Sequence, residues 1–195
     1  LPKMAVKALM DAGGLRAVVQ QRRPRGGGGG PATVIAGSLD DRRFVVEELG
    51  LRYQIDLSAS ETSSGLFLDQ RETRRRLAGS DLTGKSVLNA FGHTGSLSVA
   101  AARAGAETLT LDLSKGYLDW ARENLALNGF DPAEHDFIYG DALDWMARLA
   151  KKGRRFDRVL IDPPSFSTGR GKKKKQTWSV ERDLALLIGL AANLT

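Results

Sequence analysis

The sequence predicts an α/β fold, a mainly parallel sheet with helices packed on it, preceded by a small β-hairpin module. Three observations carry this. From Lys85 onward, short apolar runs alternate with longer amphipathic ones, strand then helix, four times over. Each of those four strands runs into a polar or glycine-bearing end: Asn89–Gly95, Asp112, Gly140-Asp141 and Asp162-Pro163-Pro164. Upstream, Leu51, Tyr53, Ile55 and Leu57 alternate with polar residues next to a bend at Gly50, which is the period of a hairpin strand.

The composition bounds the rest. A chain of 195 residues can bury one good core, or one core and a small appendage. It is 42% hydrophobic with a mean hydropathy of −0.26, and no apolar run approaches the roughly 20 residues that span a bilayer, so no membrane partner is expected. With no cysteine and two histidines, disulfides, thiolate zinc sites and a cysteine nucleophile are excluded within the chain, and no metal is expected. The net charge of +6 makes a polyanionic partner plausible, although such an excess also serves solubility. The lack of cysteine suits a reducing compartment. The expectation is the cytoplasm, with an organelle matrix or stroma as the alternative because the N-terminal stretch is arginine-rich and acid-poor.

The elements follow in order. The chain opens on Leu1 rather than Met, which predicts a processed or trimmed start. Met4, Val6, Leu9 and Met10 have helical spacing, and Leu15–Val19 is a short apolar run. Gly26–Gly30 and Pro31 form a linker or loop insertion, since no Lys-Ser/Thr follows to make a phosphate loop. The hairpin covers 44–57, and Ser64–Arg71 is a short strand or turn leading into an arginine-rich helix. Strands are expected at Ser86–Phe91, Thr108–Leu113, Phe137–Tyr139 and Phe156–Ile161. Helices are expected at Gly95–Ala104, Lys115–Leu127, Asp141–Ala150 and Val180–Leu194, the second closed by Asn128-Gly129. The organisation is then an N-terminal segment with a Gly-rich linker (1–41), a hairpin module with its lead-in helix (42–80) and the α/β domain (81–195). Four βα units that stop inside a helix predict that further C-terminal strands belong to the same sheet.

In open parallel sheets, ligands sit outside the C-terminal strand ends. The turn Asn89–Gly95 leads into a small-residue helix, whose N-terminal N–H groups can hold a polar ligand. Asp112 lies 17 residues beyond Gly95, the distance at which an acid accepts a ribose diol; alternatively it caps the Lys115 helix with Ser114. Asp141 is either an N-cap or the acceptor of an exocyclic amine. In Asp162-Pro163-Pro164-Ser165-Phe166 two prolines fix φ and remove two donors, which makes a stiff loop.

Together these residues, with Ala121-Arg122-Glu123-Asn124-x-x-x-Asn128-Gly129 and Gly65–Arg71, resemble the class I S-adenosylmethionine-dependent methyltransferases. The similarity is greatest to the ribosomal RNA large-subunit subfamily that modifies 23S rRNA, and it covers roughly residues 42–195. The resemblance implies a Rossmann-like domain with S-adenosylmethionine as cofactor and an enzyme that methylates an RNA base. It implies that Asn89, Thr94 and Gly95 line the methionine end of the cofactor. Asp112 would hold the ribose, Leu113 would pack on adenine, and Asp141 with the Ala142 backbone would receive its amine. Phe67, Asp69 and Arg71 would close the pocket from the side, while Asp162, Pro163 and Phe166 would face the methyl group and the target base. Gly92-His93 departs from the subfamily, which has a small or sulfur-bearing residue and then an aromatic there.

The family's 5-methylcytosine members attack the base with a cysteine that lies beyond the end of this chain. The present residues hold none and cannot perform that covalent chemistry, so a guanine nitrogen of large-subunit rRNA, which needs no protein nucleophile, is the expected target. Arg170 and Lys172, Lys173, Lys174 and Lys175 follow the Asp-Pro-Pro loop and are expected to contact the RNA backbone, with Trp178 stacking on a base. A solvated charge run is the plainer reading of those lysines. The alternative for the whole chain is a non-catalytic RNA-binding or ribosome-associated protein on a methyltransferase scaffold; oligomeric state is not legible.

Overall fold

The computed structural model describes residues 3–12, 14–21, 32–58, 63–168 and 177–195, with the backbone alone at 166–168 and 177. The expected Gly26–Gly30 linker, Arg170 and Lys172–Lys175 lie outside the described residues, as does the side chain of Phe166. Among the described residues, no helix is long and apolar enough to cross a membrane.

The chain divides into two compact units, residues 1–47 with 53–66, and residues 48–52 with 67–195. The first contains α1 (Lys3–Asp11) and an antiparallel pair, β1 (Ala17–Gln20) with β2 (Thr33–Gly37), whose register shifts between Val18 and Val19. It also holds most of the hairpin β3 (Arg43–Glu48) and β4 (Leu51–Asp56). The two-residue turn is Leu49-Gly50, with φ of 57° and 73°, the left-handed pair that suits the twist of a tight hairpin. Leu57 donates to the Arg42 carbonyl (2.7 Å) and accepts from Ala32 (3.1 Å). The N-terminal segment is therefore not a body apart from the hairpin, as the boundary at 41/42 supposed. The Ala32–Leu57 bond and the grouping of residues 1–47 with 53–66 in one compact unit join them.

The second unit opens with a 3-10 turn at Leu68–Gln70 and α2 (Arg71–Ala78), which packs on α3 (Ser96–Arg103). That contact, rather than the hairpin, claims residues 67–80. The sheet comprises β5 (Ser86–Ala90), β6 (Glu107–Asp112), β7 (Asp136–Tyr139) and β8 (Arg158–Ile161). All neighbours are parallel and the order is β7-β6-β5-β8. Helices α4 (Lys115–Leu127), α5 (Ala142–Lys151) and α6 (Val180–Ala192) complete the alternation. Boundaries moved by no more than two residues, and at β8 the cause is visible. Phe156 donates its N–H to the Leu194 carbonyl (2.7 Å) instead of joining the ladder, so the strand starts at Arg158.

Side chains alternate across the sheet, as a strand requires. Leu88, Ala90, Leu109 and Leu111 face Met146, Leu149, Phe156, Leu187 and Leu194, a dry layer under α5 and α6. The opposite face carries Asn89 and Thr110, which meet Ser98 of α3. The chain also forms a short antiparallel pair not foreseen in the sequence, β9 (Phe166–Thr168) with β10 (Thr177–Ser179).

Candidate active site

The strand order reverses at β5: β6 and β7 lie on one side of it and β8 on the other. Loops leaving β5 and β8 therefore diverge to opposite faces of the sheet and open a crevice above its C-terminal edge. The turn Asn89–Gly95, Asp112, Asp141 and Asp162 lie at the C-terminal ends of β5, β6, β7 and β8, along that edge.

The turn after β5 is unusually tight. Phe91, His93 and Gly95 have φ of 60°, 48° and 73°, alternating with Gly92 and Thr94 outside the left-handed region. Two non-glycine residues at positive φ cost roughly 1–2 kcal/mol each, strain of the kind that persists where the surroundings over-determine the backbone. The surroundings do so here. Gly92 donates to the Leu111 carbonyl (2.9 Å) and Gly95 to the Gly92 carbonyl (2.8 Å). A Cβ on Gly92 would lie 2.4 Å from Thr110 Cγ2, and one on Gly95 2.6 Å from Ala121 Cβ. Asn124 Nδ2 holds the Thr94 carbonyl at 2.8 Å.

Asp112 fixes the same turn from the neighbouring strand. Its Oδ2 accepts the His93 N–H and its Oδ1 the Ser114 N–H, both at 2.8 Å. It does not cap α4; Ser114 does, through Tyr117 (3.3 Å). Leu113 is exposed, as the wall of an open pocket would be. Asp141 lies at the end of β7, next to Asp112 through the Gly140 N–H to Asp112 carbonyl bond (2.9 Å). It is the N-cap of α5, with Oδ1 accepting from Asp144 at 3.1 Å. Ala142 is buried at the first turn of that helix. Gly140 is required by close packing, since a Cβ there would stand 2.1 Å from Trp145 Nε1.

On the other side stands the segment Phe67–Arg71. The Phe67 ring lies 4.9 Å from the His93 ring, which in turn lies 4.2 Å from Tyr117. Burial holds the His93 imidazole down to about 4, so it is neutral at pH 7 and completes an aromatic stack. Asp69 and Arg71 are exposed. Asp162 is half-buried, and its carboxyl is pushed up first by burial and then by the charge of Asp69, against a bond from Gln70. The structure thus brings Asp69, Gln70 and Asp162 together. Pro163 is half-buried beside Asp162, and Pro164 is exposed.

Trp178 requires a correction. It is 7% exposed, packs on Phe91 with 5.3 Å between ring centroids, and donates Nε1–H to the Pro164 carbonyl at 2.7 Å. An indole so enclosed has no face for a base to stack on.

Two features escaped the sequence reading. Arg74, in the arginine-rich helix, is 1% exposed and bonds Glu48 through Nε (2.6 Å) and Nη2 (3.1 Å) and the Phe67 carbonyl through Nη1 (2.8 Å). Its i,i+3 spacing to buried Leu77 was the available signal. Asn128 grips the backbone of Arg52 from both sides, at 2.8 and 2.7 Å, which a helix-end asparagine does not announce.

Comparison with known proteins decides the class. The profile of the S-adenosylmethionine-dependent methyltransferases matches residues 4–192. The chain belongs to that family. Its cofactor is S-adenosylmethionine, and the residues present fit such a ligand: a strand-end carboxylate and, among the described residues, a buried Asn89 Oδ1 with no hydrogen-bond partner. The chain is 41% identical over 154 residues to a ribosomal RNA large subunit methyltransferase K/L of Shewanella frigidimarina, covering 77% of this chain and 21% of that protein. It is 41% identical over 152 residues to the methyltransferase K of Neisseria meningitidis, covering 77% of this chain and 42% of that one. It thus spans well under half the length of these family members. Among solved structures, SMU.776 in complex with S-adenosylhomocysteine superposes with a TM-score of 0.75 at 32% identity, over 84% of this chain and 42% of that chain. A methyltransferase of Agrobacterium tumefaciens gives 0.74 at 27% identity, over 92% and 55%.

Proposed function

We propose that the protein is an S-adenosylmethionine-dependent RNA methyltransferase whose substrate is a base of large-subunit ribosomal RNA, with a guanine nitrogen as acceptor. The observation that carries this reading is the convergence of the strained β5 turn, the Asp112 carboxylate and the Asp162-Pro163-Pro164 loop at one edge of the sheet. The names of the relatives from Shewanella and Neisseria support the choice of RNA.

Asn89, Thr94 and Gly95 hold the methionine end, Asp112 the ribose, and Leu113, Asp141 and the Ala142 N–H the adenine. Phe67, Asp69 and Arg71 close the side. When bound, S-adenosylmethionine supplies an electrophilic methyl group on a sulfonium that leaves as a neutral thioether. The chain's own task is then alignment and exclusion of water. Asp162, flanked by Pro163 and Phe166, accepts a hydrogen bond from the exocyclic amine of guanine and takes the proton that the nitrogen sheds once methylated. This chemistry needs no protein nucleophile. Arg170 and Lys172–Lys175 would neutralise phosphates without reading sequence.

The test is methyl incorporation from labelled S-adenosylmethionine into 23S rRNA, followed by nucleoside mass spectrometry. A methylguanosine that disappears with Asp112→Ala is expected. RNA binding without incorporation would favour the non-catalytic alternative, and no heat on titrating S-adenosylhomocysteine would end the assignment.

A further inference from the structure

Trp178 stands outside every role assigned above, yet it touches both loops of the candidate site. Its indole N–H is committed to the carbonyl of Pro164, the second proline after the β8 strand end, at 2.7 Å. Its ring lies 5.3 Å from Phe91, the residue that begins the β5 turn at φ 60°. Prolines stiffen the Asp162 loop internally, but they donate no backbone hydrogen bonds, so at Pro163 and Pro164 only the carbonyls can be bonded. Trp178 supplies one such bond. Its own backbone is fixed by pairing with Ser167 in the β9–β10 ladder, immediately downstream of the same loop, and the Val180 N–H returns to the Ser165 carbonyl at 3.4 Å. The downstream end of the loop, at Pro164 and Ser165, is thus held by one short segment, and that segment rests on the β5 turn through Phe91.

We infer that Trp178 is a positioning residue: its indole N–H clasps the Pro164 carbonyl and its ring sets that loop against Phe91, fixing Asp162 relative to the β5 turn for methyl transfer. The inference rests on the methyltransferase reading for its kinetic consequence, but not for the clasp itself. Pro164 is exposed, so its carbonyl can turn to water when the indole N–H is removed, and the fold loses little. Alignment would lose more, because displacing a reacting group by about an ångström can cost up to a hundredfold in rate.

The experiment compares the full-length protein with Trp178→Phe, which keeps an apolar ring against Phe91 and deletes only the donor. The first readout is the indole N–H resonance that Trp178→Phe removes from the NMR spectrum. It is expected downfield and protected from solvent exchange; exchange at the rate of an open indole overturns the clasp, whatever the activity. The second is steady-state methylation of 23S rRNA. A fall in kcat of about tenfold or more is expected, with the S-adenosylhomocysteine affinity within twofold and the melting midpoint within about 2 °C. An unchanged kcat, or a loss that follows the midpoint or the affinity, overturns the positioning role. A wild-type protein that shows the protected resonance but transfers no methyl group refutes the methyltransferase reading instead, and the positioning role with it, while leaving the clasp standing.

Discussion

Asp112 accepts the backbone N–H of His93 at 2.8 Å, so the acid at the end of β6 locks the turn at the end of β5. A residue expected to greet a ligand is thereby also a structural brace, and the two duties can be separated by experiment.

Asp112→Asn replaces one acceptor by an amide that faces an N–H donor. Losing a charge-assisted bond costs roughly 1.5–3 kcal/mol. S-adenosylhomocysteine affinity should drop by about tenfold or more, with a melting midpoint lowered by a few degrees. Calorimetry and thermal melting check both; unchanged affinity with a lowered midpoint would leave Asp112 as brace only.

Gly95→Ala should unfold the site outright. The new Cβ would meet Ala121 Cβ at 2.6 Å on a backbone with φ 73°. Left-handed strain and overpacking together cost about 2 kcal/mol or more. Urea denaturation should show the loss, whereas Gly129→Ala, with open space around it, should show only the strain component.

Glu48→Gln should strand the buried charge of Arg74. Breaking one side of a buried ion pair costs about 3 kcal/mol or more. The same change loosens the Phe67 carbonyl that Arg74 also holds, so fluorescence or hydrogen exchange around residues 66–70 should report greater opening.

His93 predicts a pH dependence. Its folded value is about 4 against an ordinary 6.5, so between those values the unfolded chain binds a proton that the folded chain refuses. Stability is complete above 6.5 and falls as pH drops through that window, by on the order of 3 kcal/mol in full. His93→Phe should flatten the melting profile between pH 7 and 4.5. A profile as steep as that of the wild type would show that other groups carry the dependence.

Much of this molecule is written locally. The βα alternation, the cap at Ser114 and the stop at Asn128-Gly129 depend on neighbours within a few residues, and the elements fell where period and punctuation put them. What the sequence concealed depends on distant partners. Arg74 sits in a run of three arginines, and only its meeting with Glu48, 26 residues away, separates it from its exposed neighbours. Trp178 follows a lysine tract and invited a surface role, but the Pro164 carbonyl and Phe91 drew it inward. β1 and β2 are too short and too far apart in sequence for their pairing to be read from pattern.

The order β7-β6-β5-β8 also dictates when function can arise. Val87 pairs with Arg158 and Ala90 with Ile161, so the two loops of the candidate site are neighbours in space and some 70 residues apart along the chain. Local βα units can form early, but that closure is a long-range event, and long-range pairings form late. The site is therefore complete only once β8 has docked beside β5. On the ribosome, a growing chain that has not yet released Ile161 has not brought the two loops of the candidate site together.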